Sequence, residues 1–296
     1  GEMATYDAFA FATAAGLQTE HIRLTVGPLS VSVRTPMTIA MGAASVADIT
    51  GRRTAVALGA SSVVVVEEWH GRDRTRTATH LAESAQILRA LLAGEKTDFS
   101  GECASSKGYK LRLDAVEGPI TIAAFGPAAV RAAARHADRM LLNMVTPLSV
   151  AALRDQLIRA AEKAGRATPE IAIWLPCAVN PQRETIDQLK RGIVGYLAAP
   201  GYGEMMMQAG FEDLVNYART RPHPRELLAA MPDKLISAIG LVGDLSAVQA
   251  RVDEYRDAGA GEICLVPATA GDELGRQTLE IMKSQLGSPT DTTPLE

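Results

Sequence analysis

The chain has 296 residues, a formal net charge of −4 and 47% hydrophobic residues, close to the average of soluble globular proteins. This length suits one large domain or two small ones. The composition argues against a disordered chain or a coiled coil, and the charge provides no basic field to attract nucleic acid or an anionic membrane. No apolar run approaches the roughly 20 residues of a membrane-spanning helix. The N-terminus lacks the basic-then-apolar pattern of a signal peptide.

The three cysteines, Cys103, Cys177 and Cys264, are odd in number and far apart in the sequence. A disulfide framework is therefore not expected. Their spacing is also not that of a zinc site, and we expect no metal. The reducing cytoplasm is the expected compartment.

The first half of the chain alternates predicted helices and strands. An Ala-rich helix is followed by a β-branched strand, a helix that begins at Pro36 and ends at Gly51, and a second strand. A further helix has Leu81, Ala85, Leu88 and Leu92 on one face, and a short hairpin is predicted around 109–111. The predicted ranges are 6–15, 22–29, 36–49, 54–59 and 77–92.

The second half continues the alternation and adds a long helical region. Strands are predicted at 119–125, 138–144, 171–179 and 262–268, and helices at 127–136, 147–164, 245–258 and 274–286. The region 183–239 is predicted to be mostly helical. Residues 288–296 are expected to form a polar tail.

Strands that alternate with helices predict an α/β fold with a parallel sheet. The strands are continuously apolar, so both of their faces should be buried. An eight-stranded barrel needs two more strands than the six predicted here, and the chain opens on a helix. We therefore expect that an N-terminal β-α-β piece of the barrel is absent from these 296 residues. If the chain were complete, its open sheet edges would favour an inert protein or a swapped dimer. An open doubly wound sheet competes, although no Gly-x-Gly-x-x-Gly follows an early strand.

Short motifs follow one another in a characteristic order over residues 5–285. They are Ile22–Pro28, Ser32–Pro36, Leu58–Ser62, Trp69–Arg72, Leu81–Glu83, Pro119–Pro127 and Gly240–Asp244. In this order they resemble the bacterial luciferase-like superfamily, and more closely its oxidoreductases that use the deazaflavin coenzyme F420. The resemblance implies a (β/α)₈ TIM barrel over residues 1–287, with a helical insertion at 183–239. It also implies hydride transfer between C5 of the cofactor and a small organic substrate, and commonly a homodimer.

The resemblance places the cofactor at the carboxyl ends of the strands, where barrel enzymes have their active sites. Gly27 and Pro28 are expected to be joined by a cis peptide, which costs little before proline. Gly59, Ala60 and Ser61 form a small-residue loop that lets a flat ring or a phosphate approach the backbone. Ordinary turns at both places are the alternative.

A second cofactor contact is expected where the strand 119–125 ends. Gly126, Pro127 and Ala128 follow Phe125 and open a helix, whose free N–H groups and partial positive charge suit a phosphate. A normal helix cap is the alternative.

Candidates for proton transfer and substrate binding lie in two other segments. His70 and Glu67 are the catalytic candidates, because imidazole and carboxylate groups serve as general acids and bases, and Trp69 is a pocket candidate beside them. Solvated carboxylates and a packed Trp-His pair are the alternative. In the insertion, Tyr202 and Met206 are pocket candidates, whereas most of its other Met and aromatic residues are expected to form a core.

The sequence contains no nucleophile elbow, Walker loop or paired-carboxylate motif. That pattern is typical of an enzyme whose chemistry belongs to a bound organic cofactor. Coenzyme F420 is the expected cofactor. An FMN-dependent luciferase-like monooxygenase and a non-catalytic flavin-binding barrel are the alternatives.

Overall fold

The computed structural model describes residues 5–116 and 118–286. The chain forms two compact units: the first ends at Leu141 and also takes in Asp155–Ile171, and the second has Leu142–Arg154 and the described residues from Ala172 onward. The strands are β1 (Leu24–Ser30), β2 (Thr54–Gly59), β3 (Asp98–Ser100), β4 (Ser105–Lys107), β5 (Ile120–Ala123), β6 (Arg139–Asn143), β7 (Glu170–Val179), β8 (Leu241–Gly243) and β9 (Glu262–Pro267).

The helices agree closely with the predicted ones. They are α1 (Ala8–Leu17), α2 (Pro36–Thr50), α3 (Thr77–Leu92), α4 (Pro127–His136), α5 (Pro147–Lys163), α6 (Arg183–Ile193), α7 (Tyr202–Gln208), α8 (Glu212–Arg219), α9 (Pro224–Ala230), α10 (Asp233–Ala238), α11 (Leu245–Asp257) and α12 (Arg276–Leu286). Among the described residues, no helix is long and apolar enough to cross a membrane.

In the first unit, the parallel ladder runs in the order β1-β2-β5-β6. All six residues of β2 are buried, as predicted for a strand covered on both faces. Ser30 is opposite Gly59 and Leu58 is opposite Ile122. Because these strands are parallel, the loops after β1, β2 and β5 leave the sheet at the same edge.

Local signals in the sequence explain where the helices of the first unit begin and end. The hydroxyl of Thr35 accepts a hydrogen bond from the N–H of Thr38 and caps α2, whose first residue is Pro36. Gly51 ends this helix in the left-handed conformation at φ 66°. The predicted inner face of α3 is buried, with Leu81 1% and Leu88 0% exposed.

In the second unit, β7 pairs in parallel with both β8 and β9. Helices α6 to α10 fill the chain between β7 and β8, so the prediction that residues 183–239 are mostly helical is confirmed. The short strand β8 was not predicted, since it comprises only Leu241, Val242 and Gly243.

Two predictions about local structure are wrong. The hairpin is formed by β3 and β4, earlier in the chain than 109–111, because the turn between these strands is held by the Glu83 carboxylate. The last strand, β9, is only partly buried, and Val266 is 48% exposed. The predicted polar tail 288–296 lies outside the described residues.

Cys103, Cys177 and Cys264 are free thiols. Burial raises the pKa of Cys177 to about 12, so this thiol stays protonated at neutral pH. In the part of the chain that the structure describes, no group of three or more His, Cys, Asp or Glu side chains is arranged to hold a metal ion.

Candidate functional site

Strand β1 carries the predicted cis peptide between Gly27 and Pro28, in its interior and not at its end as predicted. The register of β1 with β2 shifts between Val26 and Leu29, so this pair lies in an irregularity of the strand. Gly27 has φ 142°, and a Cβ atom there would lie 2.2 Å from the carbonyl oxygen of Ala57. Only glycine fits this close approach of the two backbones.

Gly59 is the last residue of β2 and lies close to residues of the neighbouring strands β1 and β5. A Cβ atom built on this buried glycine would lie 3.0 Å from Cβ of Pro28 and 3.9 Å from Cβ of Ala123. The glycine therefore allows Pro28 of β1 and Ala123 of β5 to lie close to the end of β2. We call Pro28, Gly59 and Ala123 the cradle. These three residues present only small side chains, and a longer side chain at position 59 would meet Pro28.

A buried hydroxyl without a partner lies beside the cradle. The Oγ atom of Ser30, opposite Gly59 in the strand register, makes no hydrogen bond to any described residue. Among the described residues the same holds for Ser84 on α3 and Thr121 on β5. A buried hydroxyl that lacks a partner costs free energy. A ligand with a polar atom near Ser30 would supply that partner.

The loop after β2 continues the site. Ser61 has the left-handed conformation at φ 58° and is exposed. The hydroxyl of Ser62 accepts a hydrogen bond from the N–H of Val65, at the start of a π-helical turn over Val64–Trp69. The guanidinium of Arg74 donates from Nε to the carbonyl oxygen of Ser61, at 2.9 Å. The sequence analysis did not select Arg74, although arginine stands at every second position from 72 to 76.

The N-terminus of α4 has the form expected for an anion site. Gly126 is the N-cap and has extended backbone, and no side chain caps the helix there. A Cβ atom on Gly126 would meet nothing within 4 Å. Gly126, Pro127 and Ala128 are exposed, and Phe125 is half-buried. Backbone N–H groups at this end therefore face open space, which leaves room for a phosphate.

Glu67, Trp69 and His70 lie at the π-helical turn and are exposed. Trp69 is 52% exposed, so packing does not hide it. Within the described residues, the side chains of Glu67 and His70 make no hydrogen bond or ion pair. Their proposed catalytic roles, and the pocket role of Trp69, stay predictions.

The second unit has a polar contact at the end of β6. The amide Nδ2 of Asn143 donates to the hydroxyl oxygen of Tyr202 at 3.4 Å. The ring of Tyr202 meets the ring of Tyr196 edge-on, with centroids 4.9 Å apart. Burial raises the pKa of Tyr202 to about 12, against the opposing effect of the Asn143 hydrogen bond. The phenol is therefore uncharged at neutral pH.

The other apolar side chains of the insertion mainly form its core. Met206, a predicted pocket residue, is 0% exposed, so its pocket role stays a prediction. Phe211, Leu214 and Tyr217 line a separate cleft of about 420 Å³ within the insertion.

The profile of the luciferase-like monooxygenase family matches residues 1–262 of the chain. The chain belongs to this family. A relative of this chain is the 5,10-methylenetetrahydromethanopterin reductase of Archaeoglobus fulgidus. The two are 23% identical over 277 residues, which cover 90% of this chain and 82% of the reductase. Another is a putative coenzyme F420-dependent oxidoreductase of Mycobacterium tuberculosis, 24% identical over 287 residues, which cover 86% of this chain and 81% of that protein.

A solved structure with a similar fold is the coenzyme F420-dependent tetrahydromethanopterin reductase of Methanopyrus kandleri. It has a TM-score of 0.78 and 17% sequence identity, over 94% of this chain and 86% of that chain. The predicted fold class, α/β of the luciferase-like barrel type, is therefore confirmed, as is the family resemblance.

Proposed function

We propose that this protein is a coenzyme F420-dependent oxidoreductase that acts on a small organic substrate. The cradle is the observation that carries the proposal, because Gly59, Pro28 and Ala123 give the carboxyl side of three parallel strands a surface of small residues that suits a flat ring. Two relatives support the choice of cofactor: one is named a putative coenzyme F420-dependent oxidoreductase, and the other a methylenetetrahydromethanopterin reductase. When bound, the deazaflavin supplies hydride chemistry.

The chain itself would bind, orient and shield the cofactor. A flat ring would lie on the small residues of the cradle, and the buried Ser30 hydroxyl, opposite Gly59 in the strand register, has no hydrogen-bond partner among the described residues. The N–H groups at the start of α4 would bind a phosphate group. In the second unit, the Asn143 amide and the uncharged phenol of Tyr202 are neutral hydrogen-bonding groups, and the pocket role of Tyr202 stays a prediction.

The proton that accompanies hydride transfer needs a donor or acceptor. We propose His70 for this step, with Glu67 as the second candidate, because both are exposed in the turn that follows the loop after β2. Replacing His70 with Asn should lower kcat and alter its pH dependence while cofactor affinity stays unchanged. A variant with the wild-type pH profile of kcat would exclude His70.

The experiment that tests the cofactor is a fluorescence titration of the whole chain with coenzyme F420 and, separately, with FMN. Gly59→Leu should abolish binding, because its side chain would cover the cradle. Gly192→Leu is the matched control, since a Cβ atom at this exposed glycine of α6 meets nothing within 4 Å. Preference for FMN would favour a monooxygenase, and binding of neither cofactor would favour a non-catalytic barrel.

We also propose that the protein forms a homodimer through the outer face of α1 and α2. Helix α1 has no charged residue, yet Phe11 is 62% and Leu17 63% exposed. On α2, Met41 and Ile49 are 50% and 56% exposed. An uncharged apolar helix face is usually buried. Sedimentation should show a dimer that Phe11→Glu converts to a folded monomer, and a monomeric wild type would contradict this proposal.

A further inference from the structure

Arg74 is placed at the candidate cofactor site by a hydrogen bond to the backbone. Its Nε donates to the carbonyl oxygen of Ser61 at 2.9 Å. Ser61 belongs to the loop directly after β2, two residues beyond Gly59 of the cradle. The contact therefore fixes a half-buried cationic side chain at the carboxyl end of β2.

Arg74 forms no ion pair with an acidic side chain of the described residues. Arg72 and Arg74 form no ion pair there, whereas Arg76 pairs with Glu102 at 3.0 Å. The carboxylate of Asp73 instead accepts hydrogen bonds from the N–H and the hydroxyl of Thr75, at 2.8 and 2.7 Å.

The preceding turn carries the exposed acidic residues Glu67 and Glu68. Their negative charges offset much of the positive charge that the arginines bring to residues 67–76. Recognition of an anion here would therefore depend on the directed N–H groups of one guanidinium, and not on a general basic field. With Nε bonded to Ser61, the guanidinium still has the four N–H groups of its two terminal nitrogens. That pair of nitrogens suits the two oxygens of a carboxylate or phosphate.

We propose that Arg74 binds the anionic side chain of the deazaflavin cofactor, and so selects the complete cofactor over the ring and ribityl chain alone. This inference rests on the proposed function. Coenzyme F420 consists of a deazaflavin ring and a ribityl chain, followed by a phosphodiester and a chain of glutamates. The cradle would hold the ring, and Arg74 binds the anionic oxygens that continue from it.

The test compares two ligands on the whole chain by fluorescence titration. One is coenzyme F420, and the other is the hydroxy-deazariboflavin that lacks the phosphate and the glutamates. Arg74→Gln should weaken F420 binding about tenfold, the loss expected for one charge-assisted contact. It should leave affinity for the deazariboflavin unchanged, and Arg74→Lys should recover part of the loss. Added salt should weaken F420 binding less in Arg74→Gln than in the wild type.

The control is Arg256→Gln, which removes an exposed arginine of α11 paired with Asp253 at 3.3 Å. It should leave both affinities unchanged. F420 preparations with one or several glutamates separate the two anion sources: an equal loss for both identifies the phosphate as the partner, and a loss that grows with tail length identifies the carboxylates.

Two results would overturn the inference while the proposed function stands. One is unchanged F420 binding by Arg74→Gln. The other is an equal loss for both ligands, which would show that Arg74 only shapes the loop at Ser61. If the wild type binds neither ligand, the proposed function fails, and this inference fails with it.

Discussion

Glu83 holds the turn between β3 and β4 with three hydrogen bonds. Its Oε1 accepts from the N–H of Glu102, and its Oε2 accepts from the N–H groups of Cys103 and Ala104, all at 2.8 Å. The residue is only 8% exposed. Replacing it removes the acceptor for three backbone donors.

The structure allows the size of this effect to be worked out. A hydrogen bond to a charged group contributes about 1.5–3 kcal/mol, but water can replace part of it where the turn is exposed. We expect Glu83→Ala to lower the free energy of unfolding by about 3 kcal/mol. We expect about 2 kcal/mol for Glu83→Gln, because an amide has one acceptor oxygen in place of two. The thermal midpoint of Glu83→Ala should fall by roughly 5–10 °C.

The effect should also depend on pH. Burial raises the pKa of Glu83, but the three N–H groups and the nearby His80 more than offset this, so the pKa lies below its ordinary value of 4.5. The stability that the carboxylate contributes is therefore complete above its unfolded pKa. It is lost as the pH falls through the lower folded pKa. The difference between wild type and Glu83→Gln should shrink in acid.

The assay is urea unfolding followed by circular dichroism, at neutral pH and in acid. Glu102→Gln is the matched control: its side chain is 70% exposed and pairs with the exposed Arg76, so it should change the free energy of unfolding by less than about 1 kcal/mol. If Glu83→Ala were within about 0.5 kcal/mol of wild type, the three hydrogen bonds would not hold the turn.

Three further predictions concern buried groups. Gly27→Ala should destabilise the protein by more than about 3 kcal/mol in urea unfolding, because its Cβ would lie 2.2 Å from a backbone oxygen; Gly192→Ala in α6 should be neutral or stabilising. Lys190 is 6% exposed and donates to the carbonyl of Met231. Lys190→Met should cost about 2 kcal/mol, and the pKa of Asp233, which the Lys190 hydrogen bond lowers, should rise in an NMR titration. Cys177 should react with a thiol reagent at least about 100-fold more slowly in the native than in the unfolded protein, and rapid native labelling would contradict its burial.

Much of the fold was predictable because its signals are local. The range of α3 follows from its apolar period, and those of α2 and α4 from Pro at the first helical position. The cis peptide at Gly27–Pro28 was implied by the family resemblance, which itself rests on short motifs of adjacent residues. The hairpin was misplaced because its turn depends on Glu83, a residue of another element.

The sequence alone determined the alternation of strands and helices, and the small residues that end β1 and β2. Hydrophobic period, proline and glycine are properties of neighbours in the chain, so they can be found without coordinates. Only the tertiary structure decided that Gly59 meets Pro28, that Arg74 reaches Ser61, and that Asn143 contacts Tyr202. Each of these contacts joins residues from different elements, and strand register and helix packing determine which of them meet.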